Sequence, residues 1–162
     1  LQFRKPDNSY HCRCRVSRGE FIMADKITSE KRSWNMSQIH SSNTLIEVKV
    51  RKYLFHEGFR YRKNVKQLPG KPDIVLPKYK TVIFVQGCFW HRHPGCKEIS
   101  IPKTRTEYWK NKFDRNVAND KKHVQMLQEL GWNVILVWEC EINKHFDDTM
   151  QRVVAELNQR KT

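Results

Sequence analysis

The 162-residue chain has no apolar run long enough to cross a membrane; its longest, around Thr81 to Val85 and Val134 to Trp138, are strand-sized. Leu1 to Glu20 is polar and basic and lacks the apolar core of a secretory signal. Internal repeats and low-complexity tracts are missing too. Negative charge is scarce, with 17 Asp and Glu against 31 Lys and Arg, a net charge of +14. Residues 1–22 supply only +3 of this, so +11 stays on the remainder. A folded domain this basic usually meets a polyanion, whereas the bland alternative is a ribosomal-type or simply soluble basic protein. There are five cysteines, Cys12, Cys14, Cys88, Cys96 and Cys140. An odd count without a secretion signal argues against a disulfide framework and favours a reducing compartment and metal ligation.

What is present suits one compact domain with a real core. Hydrophobic residues make up 38% and charged residues 30%, a soluble globular composition. Residues 1–22 show neither helical nor strand period and precede Met23-Ala-Asp; they read as an upstream or disordered tail, with the domain over 23–162. Ser29 to Ile39 reads as a short polar helix. Thr44 to Glu57 reads as a firmer one: Thr44 can cap it with Glu47 three residues on, and Ile46, Val50, Tyr53 and Leu54 share a face. Gly58 stops it. Phe59 to Arg62 reads as a strand, and Leu68-Pro-Gly-Lys-Pro72 as a rigid turn. Asp73 to Leu76 and Lys80 to Gln86 pair as a hairpin. Cys88 to Pro102 reads as an irregular loop. Thr106 to Leu130 is helical in one or two pieces, with Phe113, Val117, Val124, Leu127 and Leu130 at helical spacing. A buried strand over Asn133 to Trp138 and an amphipathic helix over Phe146 to Asn158 follow. The expected class is α/β (α+β), a mixed sheet flanked by helices.

Two constellations carry chemistry. Cys88, His93, Cys96 and Cys140 suit a closed tetrahedral zinc site, a structural staple with no open position. Pro94-Gly95 bends the chain between His93 and Cys96, and Cys140 lies just past a core strand. The alternative is buried free cysteines acting as small hydrophobes, and spacing alone leaves His91 as a competing ligand. The second constellation is hydrolytic. Asp73 opens a strand after a Pro-rich turn, where a carboxylate can reach Mg²⁺, and carbonyls of Val85-Gln86-Gly87 can face the same edge. His91 could move a proton. Read singly, Asp73 is a turn former, Glu47 a capping-box residue and His91 a second-choice zinc ligand. Phe89, Trp90, Tyr108 and Trp109 are large aromatics in polar surroundings; they pack on the core or stack with bases. Trp132 and Trp138 read as core.

These residues resemble the bacterial very short patch repair (Vsr) endonucleases. The matching stretches are Arg32-Ser-Trp-Asn-Met36, Thr44-Leu-Ile-Glu47, Leu68-Pro-Gly-Lys-Pro-Asp73, Val82-Ile-Phe-Val-Gln-Gly-Cys-Phe-Trp-His91, Pro102-Lys-Thr-Arg-Thr-Glu-Tyr-Trp109, Leu127-Gln-Glu-Leu-Gly-Trp132 and Val137-Trp-Glu-Cys140. The resemblance runs collinearly from about Met23, with a small insertion near Gly95. It implies a restriction-endonuclease-like fold and a Mg²⁺-dependent nick 5′ to the T of a T:G mismatch left by 5-methylcytosine deamination. It further implies duplex DNA as partner, a link to a cytosine-5 methyltransferase, contact with mismatch-repair proteins, a monomer, and a bacterial cytoplasmic, nucleoid-associated location. By position, Asp73 resembles the Mg²⁺-binding aspartate, Val85 the residue lending it a backbone carbonyl, and His91 the catalytic histidine. Glu47 and Asp120 resemble acidic residues supporting that histidine. Cys88, His93, Cys96 and Cys140 fall on the structural zinc ligands. Phe89, Trp90 and Trp109 fall on aromatics that wedge into DNA, Met36 on a residue entering from the opposite groove, and Lys112 on one near the mismatch. Gln86 stands where some members have His, and Phe84-Val-Gln86 replaces the acid-x-Lys half of the restriction motif. The rival readings are a restriction-like nuclease on matched DNA and a non-catalytic, zinc-stapled DNA-binding module.

Overall fold

The computed structural model describes residues 30–31, 43–97, 99–102 and 104–160. Tail residues 1–22, Met36 and, apart from Glu30 and Lys31, the expected Ser29–Ile39 helix lie outside the described residues.

Helix α1 spans Leu45–His56 and starts where the sequence places it. The Thr44 side chain accepts from the Glu47 backbone while the Glu47 carboxylate accepts from the Thr44 backbone, a complete capping box. A two-residue strand β1 (Arg62–Lys63) leads to β2 (Ile74–Leu76), a 3-10 turn over Pro77–Tyr79, and β3 (Thr81–Gln86). A short helix α2 (Cys88–His91) and the 24-residue α3 (Thr106–Glu129) separate β3 from β4 (Asn133–Trp138). Helices α4 (Glu139–Lys144) and α5 (Phe146–Gln159) end the fold.

The four strands lie in the order β1-β2-β3-β4, with β2 antiparallel to β1 and β3, and β4 parallel to β3. This is a mixed sheet flanked by helices. Alternation along the strands separates two apolar clusters. Ile74, Leu76, Ile83, Ile135 and Val137 pack with Val50 and Leu54 of α1, Ile142 of α4, and Met150, Val153 and Leu157 of α5. Val75 and Val82 pack with Leu127 of α3 on the other side.

Several expectations change. Phe59 is buried and its N–H bonds to the Leu54 carbonyl, closing the end of α1, so pairing waits until Arg62. The Cys88–Pro102 loop begins with a helical turn, His91 N–H reaching Gly87 O at 3.1 Å. Helix α4 is an addition to the expected order; its short sequence carries no visible period. Leu130 falls beyond α3 and is 55% exposed, outside the core that its spacing suggested. Trp132 packs on the second cluster, but Trp138 stacks on His93 rather than joining the core. None of the described helices is long and apolar enough to cross a membrane.

Candidate active site and metal centre

The register of the sheet assembles both polar constellations at one end. Gln86 pairs with Trp138 at the close of two parallel strands, so the residues that follow, Gly87-Cys88 and Glu139-Cys140, leave the sheet side by side. Asp73 immediately precedes Ile74, which pairs with Ile83, and so stands at the same end. This is why Cys88 and Cys140 meet although far apart in sequence.

Cys88, His93, Cys96 and Cys140 each offer a ligand atom, and all four atoms lie within 4.8 Å of one another. His93 Nδ1 is 3.8 Å from Cys88 Sγ and 3.2 Å from Cys140 Sγ. A tetrahedral ion with bonds of about 2.0–2.3 Å holds its ligands about 3.3–3.8 Å apart, so the group can hold a metal. Second contacts fix the ligands. Cys140 N–H donates to Cys88 Sγ at 3.4 Å, Cys88 N–H to Glu139 Oε2 at 3.3 Å, and Trp138 stacks on the His93 ring at 4.2 Å. Burial pushes the Cys88 thiol up to about 12 and raises Cys140 as well, so a cation must displace protons to bind. His91 is not part of this group.

His91 instead turns to Asp120, with Nδ1 2.6 Å from Oδ2. An ionised carboxylate only accepts, so Nδ1–H donates and Nε2 is left free for chemistry. Asp120 lies on α3, which also supplies Asn116, whose Nδ2 donates to the Trp90 carbonyl at 3.1 Å and ties down α2. Asp73 Oδ2 accepts the Val85 N–H at 2.8 Å, beyond the last β2–β3 pair. Burial raises the Asp73 carboxyl from 3.8 to about 6. The Val85 N–H pulls it down, Glu47 pushes it up, and Arg51 and His91 pull it down, so the site is one electrostatic unit.

Glu47 is 4% exposed and fully engaged. Oε1 accepts from Thr44 N and Thr44 Oγ1, while Oε2 accepts from Asn43 N and Arg51 Nη2 at 2.9 Å. Those four bonds fill the acceptor capacity of a carboxylate. Arg51 is buried, with Nε on Glu47 O and Nη1 on Asn43 Oδ1. Sequence reasoning missed Arg51, although its i,i+4 spacing from Glu47 is the signal for a helical ion pair. It missed Asn116 too, which only the three-dimensional meeting of α2 and α3 exposes.

The aromatics form one partly exposed cluster beside His91. Phe89 lies 5.0 Å from Trp90, 5.8 Å from Trp109 and 5.1 Å from Phe113. Lys112 Nζ stands over the rings of Trp90 and Trp109 at 5.0 and 5.3 Å. The packing half of the expectation holds, since the rings pack on one another and on Phe113, and they remain partly exposed.

A family model described as DNA mismatch endonuclease Vsr matches residues 24–98. The chain is 50% identical over 137 residues to the Type II nicking enzyme V.NmeAIP of Neisseria meningitidis, covering 83% of this chain and 97% of that one. It is 44% identical over 121 residues to the Type II nicking enzyme V.XorIIP of Xanthomonas oryzae, covering 75% and 88%. Against the DNA mismatch endonuclease Vsr of Escherichia coli it is 43% identical over 120 residues, 74% of this chain and 76% of that protein. Relatives of this identity over most of their length share its restriction-endonuclease-like fold and its action on DNA, and the chain belongs to the Vsr family of DNA endonucleases.

Proposed function

We propose that this enzyme nicks one strand of duplex DNA 5′ to the T of a T:G mismatch arising from 5-methylcytosine deamination, and so begins repair. The observation that carries this reading is the His91–Asp120 pair, set between Asp73 and an open aromatic cluster. The E. coli relative is itself named a mismatch endonuclease.

The residues fit two ions. Asp73 keeps Oδ1 beside the Val85 backbone, whose C=O projects to the same strand edge as the N–H that Asp73 holds; this is an oxygen set for Mg²⁺. Bound there, Mg²⁺ supplies Lewis-acid polarisation of the scissile phosphate. The Cys88, His93, Cys96 and Cys140 set is soft and closed, which suits structural zinc. His91 Nε2 takes a proton from the attacking water as its oxygen bonds to phosphorus; the P–O3′ bond breaks and the leaving O3′ takes a proton from solvent water, giving a 3′-hydroxyl and a 5′-phosphate. Asp120 holds the ring's tautomer and stabilises the imidazolium. Glu47 acts as a fixed anion beside Asp73, since its oxygens are already filled. Phe89, Trp90 and Trp109 insert beside the mismatch, which costs less to unstack than a paired step. Lys112 reaches the bases next to them, and Met36 acts from the opposite groove.

The test is a nicking assay on end-labelled duplexes carrying one T:G or C:G in a methyltransferase-type site, with Mg²⁺ or chelator. The wild type is expected to nick only the T:G duplex, only with Mg²⁺, and Asp73→Ala to nick neither. Equal cutting of both duplexes would make the enzyme a restriction-like nuclease.

A further inference from the structure

Any DNA substrate must bring its phosphates up to a site that already holds three carboxylates, Asp73, Glu47 and Asp120. Lys112 flanks that site on the α3 side. On the opposite flank, β1 and the turn into β2 carry Arg60, Arg62, Lys63, Lys66 and Lys71, with no carboxylate between Glu57 and Asp73. All five are exposed. Arg60 is used locally, on the Phe55 ring and the carbonyls of Phe55 and Phe59. Among the described residues, no ion pair involves Lys63, Lys66 or Lys71.

Their placement is specific. Lys63, the last residue of β1, pairs with Ile74, the residue that follows Asp73, with about 5 Å between the two strands. Lys71 is two residues before Asp73, at most about 7 Å of chain. Lys66 lies in the turn between them. The opposite end of the same sheet also bears exposed cations. Lys78 and Lys80 sit at the β2–β3 turn, and Arg160 follows α5, whose Glu156 bonds Asn133 at the start of β4.

We propose that Lys63, Lys66 and Lys71 form a phosphate-contact tract that seats the DNA backbone next to Asp73. The location rests on Asp73 being the hydrolytic centre. A solvated row of lysines on an edge strand has another established use, which is to discourage strand pairing between copies. The two uses differ in a measurable way. Each phosphate neutralised adds about 0.9 to the slope of log K against log salt on duplex DNA.

The experiment measures that slope in chelator, where nothing is cut, on one T:G duplex and its paired control. Wild type is compared with Lys63→Gln/Lys66→Gln/Lys71→Gln and with Lys78→Gln/Lys80→Gln/Arg160→Gln. The first triple is expected to lower the slope by about 2.7 on both duplexes, and the second to leave it near wild type. Thermal melting checks that both are folded, and Lys66→Gln alone, expected to lower the slope by about 0.9, serves if the triple is not. An unchanged slope overturns the proposal, and self-association of the first triple with an unchanged slope assigns the lysines to edge protection. Equal losses from both triples overturn it also, since the contact would then be diffuse. Failure of the nicking assay would leave this readout intact, so the two readings fail separately.

Discussion

The thiol–imidazole cluster and the carboxylate–imidazole cluster share α2 between them, yet they meet the cost of burial differently. Cys88 opens α2 and His91 closes it. In the first cluster, burial holds Cys88 and Cys140 protonated until a cation replaces the protons, and the four ligand atoms converge within 4.8 Å of one another. In the second, Glu47 is paired with Arg51, the Asp120 carboxylate accepts from His91 Nδ1, and Asp73 is left with one oxygen free of protein donors. On the proposed reading, the closed cluster holds the shape of the loop and the open one receives the substrate. A chain can place both within a turn of helix because they draw on different donor chemistries.

The comparison can be broken most forcefully by a pair of variants. Asp73→Ala is expected to cut the nicking rate on the order of 10³-fold or more, with metal content of the cysteine cluster unchanged by atomic absorption. Cys140→Ser should do the reverse, losing bound metal and lowering the melting temperature while any remaining activity keeps its Mg²⁺ dependence. If each variant damaged both sites equally, the two clusters would not be separable. Next in size, Arg51→Met strands the buried Glu47 charge and is expected to cost about 3–5 kcal/mol in urea unfolding; a loss under 1 kcal/mol would mean that Glu47 is adequately held by Asn43 and Thr44.

A third prediction concerns pH in metal-free protein. The Asp73 carboxyl is raised to about 6, so between about 4 and 6 the unfolded chain has released a proton that the folded one keeps. Stability attributable to this residue should therefore fall as pH rises through that window, by about 3 kcal/mol in all. Asp73→Asn lacks the effect and should unfold later than wild type at pH 7 and not at pH 3.5. The same protonation competes with Mg²⁺, so nicking should decline below about pH 6. The smallest effect is expected from Asp120→Ala, roughly 10- to 100-fold in rate with DNA affinity kept, because it acts through His91.

The closed cluster was far more legible than the open one. Short-range spacing ties Cys88, His93 and Cys96 to one loop, and Cys140 follows a recognisable strand, so ligand chemistry alone brings the four together. The open site has no such signature. Asp73 alone is a residue after proline, Glu47 alone is the third residue of a capping box, and His91 alone competes for the metal. Their common location follows from sheet register, which no single segment displays. Helix α1 and strands β2, β3 and β4 were readable from period and caps, whereas α4 is too short to show a period. The role of Phe89, Trp90 and Trp109 stayed divided because aromatic residues serve packing and stacking with the same surface; here they pack on one another and on Phe113 while remaining partly exposed.

Helix α2 has a consequence for how this loop can change over time. Successive residues on a helix point about 100° apart, so Phe89, Trp90 and His91 face three ways from one rigid turn bracketed by Cys88 and His93. Adding or removing one residue there would swing the aromatic and acid–base groups out of place together. Between His93 and Cys96, Pro94 and Gly95 are exposed and nothing lies within 4 Å of a Cβ added at Gly95, although the Cys96 N–H bond to the His93 carbonyl at 3.2 Å ties the ends of the link together. A change of length is therefore sterically easier at that link than one turn earlier, provided the His93–Cys96 turn still brings both ligand atoms to the cluster.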